Sequence, residues 1–316
     1  MEEIINVFPK QLRALCRLGF QEGVEPEEIR LRIGQPVLIF GKQKEYFWNM
    51  AQQLLQESPK DSYWWKEADM KEILSRMSQY SMYAREEELR HGFFTIQGGH
   101  RIGITGKTVC NQEQIVTIRN ISGLNIRIAR EKKGCAKTVL PYLRQAEGIY
   151  NTLIISSPGV GKTTLLRDCI RLLSNGEEED GITYRGMKVG VVDERSEIAA
   201  GFFGIPQNDL GIRTDVLDCC PKVEGMKLLI RSMSPEIIAV DELGSKADCE
   251  AVEEVLHCGC KILGTMHAGK IGELQEKSYL SSWLEKEFFQ RYVSLTLDRE
   301  GKRQFMVYDE KLQPLC

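Results

Sequence analysis

Apolar positions recur along this chain with two periods, and the way they alternate changes near residue 136. Leu12, Leu15, Cys16 and Phe20 are spaced for one face of a helix within residues 1–26. Ile29, Leu31 and Ile33 then alternate with Arg30 and Arg32, the pattern of a half-buried strand, and Gly34 and Pro36 turn the chain into a second strand. Met70, Ile73, Leu74 and Met77 return to helical spacing and predict a helix over 67–84. "HGFFTIQGGHRIGITGKTVC" sets two apolar runs around Gly-Gly-His, which predicts a hairpin, and "GLNIRIAREKKG" adds an alternating strand before Gly134. Such a mixture predicts an α+β domain over residues 1–135.

From residue 136 onward, short continuous apolar strands alternate with amphipathic helices. "TLIIS" is followed by a helix with Leu165, Leu166, Cys169, Ile170 and Leu173 on one side. "MKVGVVDE", "EIIAVDE" and "KILGTMHA" are further strands; "EGMKLLIRSMS", stopped by Pro235, and "KADCEAVEEVLHC" are helices between them. This alternation predicts an α/β domain over 136–316, a parallel-rich sheet covered on both faces. "RYVSLTLDREGKRQFMVYD" predicts a closing hairpin, and "SNGEEEDGITYRG" (174–186) an exposed loop.

Composition narrows the function. At 316 residues, 42% apolar and 28% charged, the chain reads as globular with a full core. A net charge of −3 provides no general attraction to nucleic acid, so no nucleic-acid partner is expected. The start "MEEIINVFPKQLRALC" lacks the apolar run of a signal peptide, and no run approaches the roughly 18 residues of a membrane span. The expectation is a cytoplasmic protein that touches membranes only through partners. Ten cysteines include no C-x-x-C pair; "HCGC" at 257–260 lacks zinc spacing, and free thiols are the better reading.

The candidate chemistry begins at Ser156, Ser157, Pro158, Gly159, Val160, Gly161, Lys162 and Thr163, which follow G-x-x-x-x-G-K-[ST] with serine in place of the first glycine. Glycines let consecutive N–H groups curl inward onto phosphate oxygens, and the helix that follows adds its positive end. Lys162 is placed to reach the β- and γ-phosphates and the Thr163 hydroxyl to hold magnesium, with Thr164 completing the ATP-binding stretch. Two later strands end in acids: Asp193 and Glu194, with Glu197 beyond, and Asp241 and Glu242. Ligands bind at that strand edge in parallel sheets, so Asp241 is assigned to the metal, and either Glu194 or Glu242 to the attacking water. His267, ending the next strand, is a candidate γ-phosphate sensor.

The order of these motifs resembles the type II/IV secretion ATPases: phosphate loop, "VVDERSEIA", "IRSMSPEIIAVDELG", then "TMHA". "EEIRLRIGQPVLI", "GGHRIGITGK" and "LNIRIAR" resemble the sporulation branch of that superfamily, and the likeness spans residues 10–310. It implies a RecA-like P-loop NTPase core, an N-terminal domain folded over the nucleotide, and a hexameric homo-oligomer. It further implies membrane-embedded secretion or channel partners, in sporulation the channel between mother cell and forespore. By the same resemblance Glu194 is the catalytic base, His267 the histidine box, and Arg101, Arg127 and Arg130 the nearest matches to arginines that approach the phosphates. The chain departs from the secretion motors where they carry Gly-Glu followed by a basic residue: here Asp241-Glu242 precedes Leu243 and Gly244, which leaves the base open between Glu194 and Glu242. The leading expectation is a magnesium-dependent ATPase motor; a nucleic-acid-dependent ATPase and a nucleotide-gated scaffold are the alternatives.

Overall fold

The computed structural model describes residues 2–10, 13, 23–77, 92–111, 114–179, 181–276, 280–298 and 300–316, in two compact units, Met1–Arg130 and Glu131–Cys316. The first is built on β1 (Pro26–Arg32), β2 (Leu38–Gly41), β3 (Lys44–Asn49), β4 (Leu54–Gln56), β5 (Phe93–Ile96), β6 (His100–Asn111) and β7 (Gln114–Arg127). They form one sheet in the order β4-β3-β2-β1-β7-β6-β5, every pairing antiparallel. Alternation puts Ile29, Leu31, Ile102, Ile104, Leu124 and Ile126 on the buried face, where α1 (Glu2–Val7) contributes Ile4 and α2 (Glu67–Met77) contributes Met70 and Ile73.

The expected Gly-Gly-His hairpin is β5–β6, with Ile96 opposite His100. Ile33 departs from its expected place in the alternation: it lies in the turn after β1 and is 37% exposed. The strand foreseen in "GLNIRIAREKKG" is only the end of β7, which stops at Arg127. Leu12, Leu15, Cys16 and Phe20, and residues 78–84 of the expected second helix, lie outside the described residues.

The second unit holds β8 (Thr152–Ser156), β11 (Val189–Asp193), β12 (Thr214–Asp218), β13 (Ile237–Val240), β14 (Lys261–His267), β15 (Arg291–Leu297) and β16 (Arg303–Tyr308). The order is β12-β11-β13-β14-β8-β15-β16, parallel throughout except for the last strand. All residues of β8, β11 and β13 are buried, as expected for strands covered on both sides. Ile154, Val191, Ala239 and Leu263 face α3 (Lys162–Asn175), through Leu165, Leu166, Cys169, Ile170 and Leu173. Leu153, Ile155, Val192, Ile238 and Val240 face the other way, onto α4 (Lys222–Met233) and α5 (Lys246–His257). Fully burying one such side chain contributes about 1.5–3 kcal/mol.

One expected loop contains two strands: within 174–186, β9 (Glu177–Glu179) and β10 (Ile182–Tyr184) pair as an exposed antiparallel ribbon. Arg144 fastens it, bonding Glu177 at 3.0 Å and lying 3.8 Å from the Tyr184 ring centre. The sheet order has a direct consequence for function. It sets the carboxyl ends of β8, β14, β13 and β11 side by side, so four motifs scattered over more than a hundred residues share one edge.

Candidate functional site

β8 ends at Ser156, and the chain leaves the sheet through Ser157 to Gly161 before α3 begins at Lys162. Gly159 (φ +78°) and Gly161 (φ +113°) are left-handed, a conformation that glycine adopts without strain. Ser156 is not: it pairs with His267 across β8–β14 and its Oγ donates to the Ser157 carbonyl at 2.9 Å. The turn starts after it, which is why serine is tolerated where the consensus has glycine. Val160 anchors the loop in the core beside Leu165. Gly161 caps α3 with no side-chain hydrogen bond, so no side chain of its cap satisfies the first-turn N–H groups. At α5, by contrast, Ser245 and Asp248 close the N-terminus with a reciprocal capping box.

The neighbouring strand ends supply acids to this loop. Thr163 Oγ1 donates to Asp241 Oδ2 at 2.7 Å, and the Thr265 hydroxyl binds the other Asp241 oxygen. The Lys162 side chain is 8% exposed, and its Nζ lies 3.4 Å from Glu242 Oε1. Glu242 also holds His267 Nε2 at 3.0 Å and Arg195 Nη1 at 2.7 Å, on a left-handed backbone with φ +57°. Burial pushes the Glu242 carboxyl up, but the His267 hydrogen bond and the Lys162 and Arg195 charges outweigh it and hold the group below its ordinary value.

Glu194 is more open, and Lys222 Nζ holds its Oε2 at 3.0 Å. The same ammonium donates to the Glu242 carbonyl at 3.0 Å, joining the ends of β11 and β13. Asp193 is buried and accepts the N–H groups of Glu197, Ile198 and Ala199 at 2.9, 2.9 and 2.7 Å. Burial pushes its carboxyl up to about 6; those N–H groups oppose the rise and the Asp218 charge adds to it. Arg167 of α3 donates to the Ile198 and Glu197 carbonyls at 2.8 and 2.7 Å, tying the segment after Glu194 to the helix of the glycine loop. A small cleft is lined by Asp193, Glu194, Arg195, Glu197, Asp241 and Glu242, so both acid pairs share one space.

A magnesium polyphosphate suits this arrangement on three counts. A β-carbon on Gly159 would meet no atom within 4 Å, leaving the loop open to a ligand. The buried Lys162 ammonium already has an anion, Glu242, as its counter-ion. The Thr163 hydroxyl and the Asp241 carboxylate are hard oxygen donors in contact, suited to magnesium.

Of the residues singled out from sequence, the 156–164 stretch, Asp241, Glu242, Glu194 and His267 come together in this unit. Arg127 and Arg130 belong to the first unit. There Arg127 lies 3.9 Å from Glu28, and Arg130 bonds Glu25 at 2.9 Å and the Pro26 carbonyl at 3.1 Å. Arg101 in that unit stacks on Phe93, 4.1 Å from the ring centre. Sequence reasoning missed Arg195, Lys222, Thr265 and Arg167. Signals existed for two of them. Thr265 sits two residues before His267, hence on the same face of β14, and Lys222 puts a cation in the first turn of a helix, against the dipole.

Comparison with known proteins bears on the family and the fold. Residues 1–315 match the family model described as Sporulation stage III, protein AA. Stage III sporulation protein AA of Bacillus subtilis (strain 168) is 42% identical over 312 residues, 98% of this chain and 95% of that protein. An uncharacterized protein, ycf45, of Porphyra purpurea is 29% identical over 66% of this chain and 34% of that protein. Among solved structures, the pilus retraction motor PilT with bound ADP aligns with TM-score 0.59 and 13% identity, over 92% of this chain and 81% of its own. The Legionella pneumophila ATPase DotB aligns with TM-score 0.56 and 15% identity, over 93% and 78%. The second unit's parallel-rich sheet thus has the RecA-like arrangement of the secretion ATPases, and the chain belongs to the Sporulation stage III, protein AA family.

Proposed function

We propose that this protein is a magnesium-dependent ATPase that acts as the cytoplasmic motor of a membrane-bound secretion or channel apparatus, at the mother cell–forespore boundary of sporulating cells. The observation that carries the reading is the pair of contacts across adjacent strand ends, Lys162 to Glu242 and Thr163 to Asp241. It brings a cation for phosphate and oxygen donors for a metal to one uncapped helix terminus. Residues Ser156 to Thr164 form the cradle for ATP. Lys162 reaches the β- and γ-phosphates, and Thr163 and Asp241 would hold Mg2+. Magnesium held there would supply positive charge against the terminal phosphates.

Glu194 is the general base: its Oε1, the oxygen Lys222 does not hold, takes a proton from the attacking water. Glu242 has a different task, keeping Lys162, Arg195 and His267 together until ATP takes Lys162 from it. His267 then senses the γ-phosphate. Arg127 and Arg130 are the candidate arginines for neutralising charge on the phosphates. The working assembly is a homo-hexamer that meets the membrane only through its channel partners. The name of the Bacillus subtilis relative and the motor fold of the structural neighbours support this reading.

The test is ATP turnover by the purified protein alongside its mass in solution, with and without Mg-ATP, for wild type, Glu194→Gln and Glu242→Gln. The reading expects turnover by a ring, at least about a hundredfold loss of kcat in Glu194→Gln with ATP binding kept, and a smaller loss in Glu242→Gln. A monomer without turnover, or a Glu194→Gln variant at full rate, would contradict it.

A further inference from the structure

The β15–β16 hairpin ends at the same sheet edge as the glycine loop. Leu295 of β15 pairs with Ser156 of β8, and two residues further on Leu297 pairs with Arg303, the first residue of β16. The turn between them is pinned by Asp298, whose Oδ1 accepts the N–H groups of Glu300 and Lys302 at 3.0 and 2.8 Å. This delivers Arg303 to Gly161. A β-carbon on Gly161 would lie 2.8 Å from Arg303 Nε, with Cζ and Nη2 nearer still.

Glycine is required at such a loop position so that a phosphate can approach the backbone where a β-carbon would stand. Here a guanidinium fills that volume, and among the described residues it forms no hydrogen bond or ion pair. A planar fork of donors without an anion, lying on a phosphate cradle, is built for phosphate oxygens.

Its side of the cradle can be specified. Cys135 donates its thiol to the Thr164 carbonyl at 3.7 Å, on the first turn of α3. Sheet order puts β15 and β16, and with them Arg303, on the side of β8 away from β14 and β13, and the Arg303 charge opposes the rise that burial and Asp168 give the Cys135 thiol's pKa. Lys162 faces the other way, toward Glu242 and His267. The cradle therefore has one cation at the end where the bond to the γ-phosphate would break and another at the opposite end.

Resting on the ATP site proposed above, we infer that Arg303 is a nucleotide-binding residue that grips the non-reacting α- and β-phosphates and vacates the Gly161 volume as they enter. It binds a group that does not change during hydrolysis. Its loss therefore weakens ATP and ADP alike and raises KM, leaving kcat nearly unchanged.

The experiment measures displacement of a fluorescent ADP analogue by ADP, ATP and inorganic pyrophosphate, for wild type, Arg303→Gln, Arg303→Lys and Lys162→Ala, with melting curves to verify folding. Arg303→Gln is expected to weaken all three competitors about tenfold or more, by a common factor, with Arg303→Lys recovering part of the loss. KM should rise with kcat within about twofold. If Arg303→Gln weakens ADP but not pyrophosphate, Arg303 contacts the base and the phosphate assignment is wrong. If wild type and Arg303→Gln bind equally while Lys162→Ala does not bind, the Arg303 inference fails and the ATP site stands. If wild type binds no nucleotide, both fail together.

Discussion

Asp193 offers the sharpest physical prediction, because its carboxyl is buried and yet bonded to three N–H groups. Its folded pKa is about 6 against an ordinary 3.8, so the native state holds the proton more tightly than the unfolded chain does. The stabilisation from that proton is fully present below the ordinary value and is lost as pH rises through about 6. The whole effect is on the order of 3 kcal/mol, of which about 1.4 kcal/mol disappears between pH 5 and pH 8. Asp193→Asn preserves the shape and removes the titration. Its amide also leaves at least one of the N–H groups of Glu197, Ile198 and Ala199 without an acceptor, costing about 2 kcal/mol at every pH.

The assay is urea unfolding followed by circular dichroism for both proteins at several pH values across that range. Other titrating groups are shared and cancel in the difference. The stability of the wild type relative to Asp193→Asn should fall by about 1.4 kcal/mol from pH 5 to pH 8. A relative stability that stays constant or rises would refute the reasoning, since it would mean that Asp193 is ionised as readily in the fold as in water.

Three further outcomes follow from the site. Glu242→Gln removes the anion 3.4 Å from Lys162; with the pair worth about 1 kcal/mol net, ATP should bind about fivefold tighter in a competition titration, and weaker binding would contradict the counter-ion role. Lys222→Met releases the Glu194 carboxylate and should reduce kcat about tenfold or more with KM little changed; an unaltered kcat would remove Lys222 from the positioning of the base. Asp241→Asn should raise the Mg2+ concentration for half-maximal turnover at least about tenfold, because the carboxylate that orients Thr163 loses its charge; an unchanged magnesium curve would argue that the metal is held elsewhere.

Much of the second unit is legible from residues alone. β8, β11 and β13 are unbroken apolar runs because both sides of each strand are covered, and the side chains of α3 repeat at helical spacing. β12 escaped because an edge strand reading Thr-Asp-Val-Leu-Asp is half exposed and alternates too weakly to stand out. β9 and β10 escaped because an acidic ribbon packed by Arg144 looks like a loop until its partner is seen. The candidate site divides along the same line. The glycine loop, the acids and His267 announce themselves by type and spacing. The contacts of Glu242 with Lys162, Arg195 and His267, and the placing of Arg303 on Gly161, depend on strand order, which no local pattern encodes.

The most direct test of the central claim is calorimetric titration of a non-hydrolysable ATP analogue with Mg2+ into the wild-type protein and into Lys162→Ala. The account predicts saturable, magnesium-dependent binding to the wild type at one site per chain, weakened at least about a hundredfold in the variant, since a buried ammonium with several phosphate contacts is lost. No heat of binding to the wild type, or equal affinity for both proteins, would contradict it.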